Sequence, residues 1–172
     1  MYMYYYDSPM GVMKLCADEE SLLGVWFDEE RISEASLDIE AIENFHDNKH
    51  ISDAVRWLDE YFAGNVPSFT PKLKLQGSEF RKTVSEIMLK IPYGELSTYG
   101  EIANEVAMRI GKDRMSAQAV GGAVGSNEFS IIVPCHRVVG KGGKLTGYAG
   151  GMDKKVYLLR HEGVDFEKYN LR

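Results

Sequence analysis

Apolar positions change their rhythm near residue 77: before it they come in short runs divided by turn residues, and after it they recur at helical spacing. YMYYYDSPMGVMKLCA opens the chain as two aromatic or aliphatic runs separated by Asp-Ser-Pro-Met-Gly, the pattern of a strand, a turn and a second strand. SLLGVWF at 21–27 predicts a third strand. ISDAVRWLDEYFAG then sets Ile51, Val55, Leu58 and Phe62 on one helical face with Gly64 as a stop, an amphipathic helix that packs on the sheet. NVPSFTPKLKLQG, with two prolines, reads as a connector carrying a short strand.

Beyond Gly77 the prediction is mainly helical. Phe80, Val84, Ile87 and Met88 mark a helix with Ser78 as its cap, ended by the Ile-Pro-Tyr-Gly turn. LSTYGEIANEVA begins a second helix after Ser97 or Thr98, and the polar RIGKDRM leads into MSAQAVGGAVGSN, rich in Ala and Gly. Two short helices joined by a turn read as a helix-turn-helix, with KGGKLTG a candidate hairpin wing. DKKVYLLRHEGV predicts a last helix capped at Gly163. The fold class is therefore α+β, a sheet-plus-helix domain over 1–77 followed by a mainly helical domain over 78–172.

Composition keeps the chain among ordinary soluble globular proteins, with 44% hydrophobic and 27% charged residues. No run approaches the length of a membrane span, and MYMYYYDSP has neither the basic flank nor the cleavage site of a secretory signal, so a cytoplasmic location is expected. Cys16 and Cys135 are the two cysteines, and with four histidines they match no zinc spacing; free thiols and no metal are expected. A net charge of -6 speaks against a surface that coats nucleic acid throughout, yet it is unevenly spread. Residues 1–77 hold 6 basic and 15 acidic side chains, whereas 78–172 hold 14 basic and 11 acidic. Either scatter on solvated faces or a second half turned toward a polyanion accounts for that asymmetry.

The chemistry concentrates in IIVPCHRVVG at 131–140. By its apolar flanks alone Cys135 reads as an inert buried thiol. His136 and Arg137 supply positive potential that favours a thiolate, which makes Cys135 equally a candidate nucleophile. Adjacent residues of an extended backbone point to opposite sides, so His136 does not contact the thiol directly and a further group must complete the site. In the Ala/Gly segment, glycines at 121 and 122 cost a helix roughly 1 kcal/mol each relative to Ala, which implies close approach of another backbone, from this protein or from nucleic acid. Tyr99 stands at a helix start, where it is either a core aromatic or faces a phosphate. GYAGG at 147–151 lacks the spacing of a phosphate loop and reads as a flexible lid, and His161 with Glu162 reads as a solvated charge pair.

PCHRVVG at 134–140, TYGEIA at 98–103, AVGGAVGSN at 119–127, GYAGG at 147–151 and HEG at 161–163 together resemble the O6-alkylguanine-DNA alkyltransferases, the methylated-DNA-[protein]-cysteine S-methyltransferases. The likeness is dense in the second half, and the element order of the first agrees with the family's variable, ribonuclease H-like domain. It implies a winged helix-turn-helix-like domain that binds double-stranded DNA and flips out O6-alkylguanine, with O4-alkylthymine a second candidate. The alkyl group would pass irreversibly to Cys135, in a monomer with no cofactor. By the same resemblance His136 acts through a bridging water, Glu162 orients His136, Asn127 braces the active-site turn and Tyr148 helps the guanine leave. Tyr99, Gln118, Ala119, Gly121, Gly122, Ser126, Arg137, Ala149 and Gly150 would meet DNA or the flipped base, the small-residue helix lying in the minor groove. Gln118 stands where the family commonly has an arginine finger, and Arg109, Lys112 and Arg114 are candidates to restore phosphate contacts. Related alkyltransferase-like proteins lack the acceptor cysteine and only sense lesions, which is the alternative that Cys135 disfavours.

Overall fold

A computed structural model of the chain describes residues 1–27 and 39–172. These residues pack as two units, one of 1–75 with 128–130, the other of 76–127 with 131–172.

In the first unit, strand β1 (Tyr2–Ser8) pairs antiparallel with β2 (Gly11–Ala17). Ser8 lies opposite Gly11, so Pro9 and Met10 form a two-residue turn. Gly11 accommodates that turn at φ +105°, and the Ser8 hydroxyl closes it by donating to the Gly11 carbonyl at 2.6 Å. β3 (Leu22–Phe27) continues the sheet beside β2, and β4 (Glu40–Ala41) lies parallel to β1, giving the order β3-β2-β1-β4. β4 went unpredicted because two residues carry no alternation to read.

Residues paired across the strands share a face, and Tyr6, Met13, Leu15, Val25 and Phe27 form a buried one. Helix α1 (Lys49–Phe62) covers it with Ile51, Ala54, Val55, Leu58 and Tyr61. Asn48 caps α1 by accepting from the N–H groups of His50 and Ile51. The short strand expected in PKLKLQG is reduced to a single bridge between Leu73 and Leu22. Residues 128–130 pair with the same β3: Val25 N–H donates to the Glu128 carbonyl, Ser130 N–H to that of Val25, and the Trp26 indole to the Glu128 carboxylate at 2.8 Å.

The second unit begins with α2 (Glu79–Met88), whose Ser78 cap accepts from the Arg81 N–H. The two-residue β5 (Ser97–Thr98) leads into α3 (Tyr99–Ile110), and Thr98 with Glu101 forms a reciprocal capping box at its start. Gly111 ends α3 at φ +69°, a left-handed turn that a side chain would strain. α4 (Ala117–Gly125) starts from Ser116, whose hydroxyl accepts from the N–H groups of Gln118 and Ala119. Val84, Ile87, Met88, Ile102, Val106, Val120 and Val124 form the core among these helices. β6 (Val138–Val139) pairs parallel with β5, and α5 (Met152–His161) ends at Glu162 with Gly163 left-handed beyond it.

Two local expectations change. KGGKLTG is not a paired hairpin: a tight turn at Lys141–Gly143 bends it back so that the Gly140 N–H donates to the Lys144 carbonyl at 2.7 Å. Gly142 and Gly143 both take left-handed conformations, which break strand pairing. Cys135–Arg137 is not extended either but a single 3₁₀ turn entered through Pro134. Ile131 precedes it at φ +71°, a costly conformation for a β-branched residue, tolerated here in a fully buried position that turns the chain toward the cysteine.

Candidate active site

A 3₁₀ turn spaces successive side chains by about a third of a revolution, so Cys135, His136 and Arg137 fan out into different surroundings. All three are buried, and His136 is fully so. Cys135 meets the end of α4: the Asn127 side-chain amide donates to the Val133 carbonyl at 2.9 Å and to the Cys135 sulfur at 3.1 Å. One amide thus fixes the chain before the turn and presents a donor to the sulfur, where negative charge on a thiolate is favoured.

His136 points the other way, toward the end of α5. Its Nε2 lies 2.6 Å from Glu162 Oε1, and its Nδ1 has no hydrogen-bond partner among the described residues. A carboxylate partner requires the proton on Nε2, which leaves Nδ1 as the basic nitrogen. Burial lowers the His136 pKa, with Arg137 and Lys155 acting in the same direction against the pull of Glu162, which favours the neutral ring.

Glu162 is the hub. Burial pushes its carboxyl up, but the His136 hydrogen bond and the Arg137 guanidinium outweigh burial and hold it well below the usual carboxylate range. Arg137 binds it through Nε to Oε2 at 2.8 Å and Nη2 to Oε1 at 3.0 Å, and the Gly94 N–H adds a donor to Oε2 at 3.0 Å. The third guanidinium nitrogen donates to the Ile91 carbonyl at 2.6 Å, and the Tyr93 ring lies 5.7 Å beneath the guanidinium. Glu162, read from sequence alone as half of a solvated pair, is therefore a buried anion with bidentate compensation. Arg137, expected among the DNA contacts, is corrected: at 7% exposure its guanidinium is committed to Glu162 and Ile91.

The remaining candidates divide by exposure. Gln118, Ala119 and Gly122 are exposed on α4, Gly121 and Ser126 half-buried, and Ser126 back-bonds to the Ala123 carbonyl. Ala149 is exposed beside half-buried Tyr148 and Gly150. Tyr99, the first residue of α3, lines with Gln118 and Gly121 a cleft of about 730 Å³ that also includes Thr98, Asn104 and Lys141. Arg109 pairs at the surface with Glu105 and Glu86.

Three participants had no assigned role. Gly94 and Ile91 sit in a turn read only as a helix stop. Lys155 is fully buried, its ammonium donating to the carbonyls of Val138 at 2.6 Å and Thr146 at 3.0 Å. Burial pushes its pKa down to about 8, opposed by the charge of Cys135. A signal for it existed: Lys155, Leu158, Leu159 and Glu162 follow helical spacing, so two charged residues occupy an apolar stripe.

A buried thiol followed on the same turn by a carboxylate-oriented imidazole, carried on a helix-turn-helix unit, defines a class of protein in which a cysteine does chemistry on a nucleic-acid-binding fold. Comparison with known proteins gives the family. The model of the 6-O-methylguanine DNA methyltransferase DNA-binding domain matches residues 79–164, and that of the family's ribonuclease-like domain matches 1–75. A methylated-DNA--protein-cysteine methyltransferase of Methanosarcina acetivorans is 44% identical over 95% of this chain and 99% of its own, and that of Haemophilus influenzae 38% identical over 96% and 88%. A crystal structure of Mycobacterium tuberculosis OGT in complex with DNA superposes with a TM-score of 0.81 at 37% identity, covering 94% of this chain and 92% of that one. The chain belongs to the 6-O-methylguanine DNA methyltransferase family.

Proposed function

We propose that this protein repairs O6-alkylguanine in double-stranded DNA by moving the alkyl group onto Cys135, once per molecule. The observation that carries the reading is the line Asn127, Cys135, His136, Glu162, in which a donor faces the sulfur and the next residue of the turn is an imidazole oriented by a buried carboxylate. The Cys135 proton passes through a bridging water to Nδ1 of His136, and Glu162 stabilises the imidazolium that results. The thiolate attacks the alkyl carbon in line; the S–C bond forms as the C–O6 bond breaks, and the electron pair goes to the guanine oxygen. Tyr148 donates its phenolic proton to N3, so that guanine leaves as a neutral base, and the phenolate regains a proton from solvent. A thioether has no good leaving group, hence the thiol is not regenerated.

The target carbon is out of reach inside the base stack, so the nucleotide is flipped, at a cost of a few kcal/mol that protein contacts offset. Tyr99 pushes on the 3′ phosphate, the small residues of α4 enter the minor groove, Gln118 fills the gap, and Ala149 and Gly150 border the base. Residues 78–172 carry both DNA contacts and acceptor, and the protein works as a cytoplasmic monomer. Among the described residues no helix is long and apolar enough to cross a membrane. Incubation with duplex DNA containing O6-methylguanine tests the proposal: one methyl should appear on the Cys135 peptide. Binding to the lesion with no mass gain on reduced protein would instead mark a lesion sensor.

A further inference from the structure

Tyr99 is the half-buried aromatic of the DNA-facing cleft, with open room beside its ring and one hydrogen bond at its phenol. Gly121 of α4 flanks it closely enough that a Cβ there would meet the ring edge at 3.9 Å. At the other end, the Thr146 hydroxyl donates to the Tyr99 phenol oxygen at 2.9 Å. Thr146 belongs to the looped segment after β6, and the cleft is lined by both residues. Its own backbone is anchored from below, because the ammonium of buried Lys155 binds the Thr146 carbonyl and the Val138 carbonyl together. The Thr146 hydroxyl therefore hangs from a point tied to the strand that follows Cys135.

We infer that Thr146 is a positioning residue for nucleotide flipping: its hydroxyl holds the Tyr99 phenol in the cleft before DNA arrives. This rests on the reading that Tyr99 engages the nucleotide being rotated. A tyrosine on a helix end samples several rotamers, and ordering it only on DNA binding would weaken the flipped complex. A hydrogen bond already present in the free protein removes that cost, which raises the transfer rate on duplex DNA and has no bearing on a base that needs no flipping.

The test compares single-turnover transfer from duplex O6-methylguanine with transfer from free O6-methylguanine nucleobase. Thr146→Val keeps the shape and removes the hydroxyl, and Thr146→Ser keeps the hydroxyl. The duplex rate relative to the free-base rate should fall about three- to tenfold in Thr146→Val, the range that one net neutral hydrogen bond commands, and return in Thr146→Ser. In a Tyr99→Phe background Thr146→Val should add nothing further, since the phenol it acts through is gone. An unchanged ratio in Thr146→Val, a serine variant that fails to recover, or full additivity with Tyr99→Phe overturns the inference while leaving the repair reading intact. A Tyr99→Ala protein with an unchanged ratio removes the role of Tyr99 itself, and the inference with it.

Discussion

The buried cluster behind Cys135 and the open cleft lined by Tyr99, Gln118 and Gly121 obey opposite rules. Behind the cysteine, His136, Arg137, Lys155 and Glu162 are buried, and hydrogen bonds between positions 25 or 26 residues apart hold the centre of that cluster. At the cleft, by contrast, Gln118 stands exposed on one short helix with Ala119 and Gly122. The difference follows from the task of each region. Charges taken from water cost several kcal/mol each unless partners replace the lost solvent, so the chemical centre is cross-linked before any substrate arrives. The proposed DNA surface is built instead from small side chains and a polar tip. What one region gains in preorganisation the other gains in access.

Substituting the acceptor gives the largest effect. Cys135→Ala should abolish transfer entirely and leave binding to O6-methylguanine duplex within about twofold, because the contact surface lies elsewhere; mass spectrometry and a binding titration read the two. A large loss of binding would erase the proposed division between cluster and cleft.

Next comes Glu162→Gln, which leaves the Arg137 guanidinium buried without its anion. A loss of about 3–5 kcal/mol in urea unfolding is expected, since breaking one side of a buried pair strands the other charge. The wild-type carboxyl, held low in the fold, contributes stability that is present above the ordinary carboxylate range and lost as pH falls below it; the variant should not show that acid-side loss. A loss under 1 kcal/mol would mean that water reaches the cluster.

Lys155→Met should separate the two regions by pH. The folded protein gives up the Lys155 proton near pH 8, while the unfolded chain keeps it until the usual lysine range. Wild-type stability relative to the variant should therefore rise with pH across that window, by on the order of 3 kcal/mol at most. A flat difference would show that the ammonium is solvated.

The smallest effect belongs to the cleft. Gln118→Arg should steepen the dependence of log affinity on log salt by about one unit, as expected for one added phosphate contact. Equal slopes would place position 118 away from the DNA backbone.

Much of the second unit was legible in one dimension. Ser78 and the Ser97-Thr98 pair announce helix starts through groups that act within a few residues, and the structure caps α2 with Ser78 and α3 with Thr98. The glycines at 121 and 122 predicted close approach of another backbone, and the described residues supply none: a Cβ at Gly122 would meet nothing within 4 Å among them, and one at Gly121 only the Tyr99 ring at 3.9 Å. Glu162 was misread from spacing alone, because nothing nearby in sequence indicates that a helix-end carboxylate will be buried. Lys155 carried a readable signal, a charge on an apolar stripe, without any clue to its partners.

By itself the sequence determined the α+β class, the helix caps and turns, and, through motifs spread along the second half, the family with Cys135 as acceptor. These are properties of local spacing, and spacing survives in a one-dimensional record. Only the tertiary structure decided that Arg137 faces Glu162 rather than DNA, that Glu162 engages His136 through Nε2, and that 128–130 pair with β3. Each depends on which distant backbone closes over a polar group, and burial, which sets the cost of leaving that group unpaired, exists only once the chain has folded.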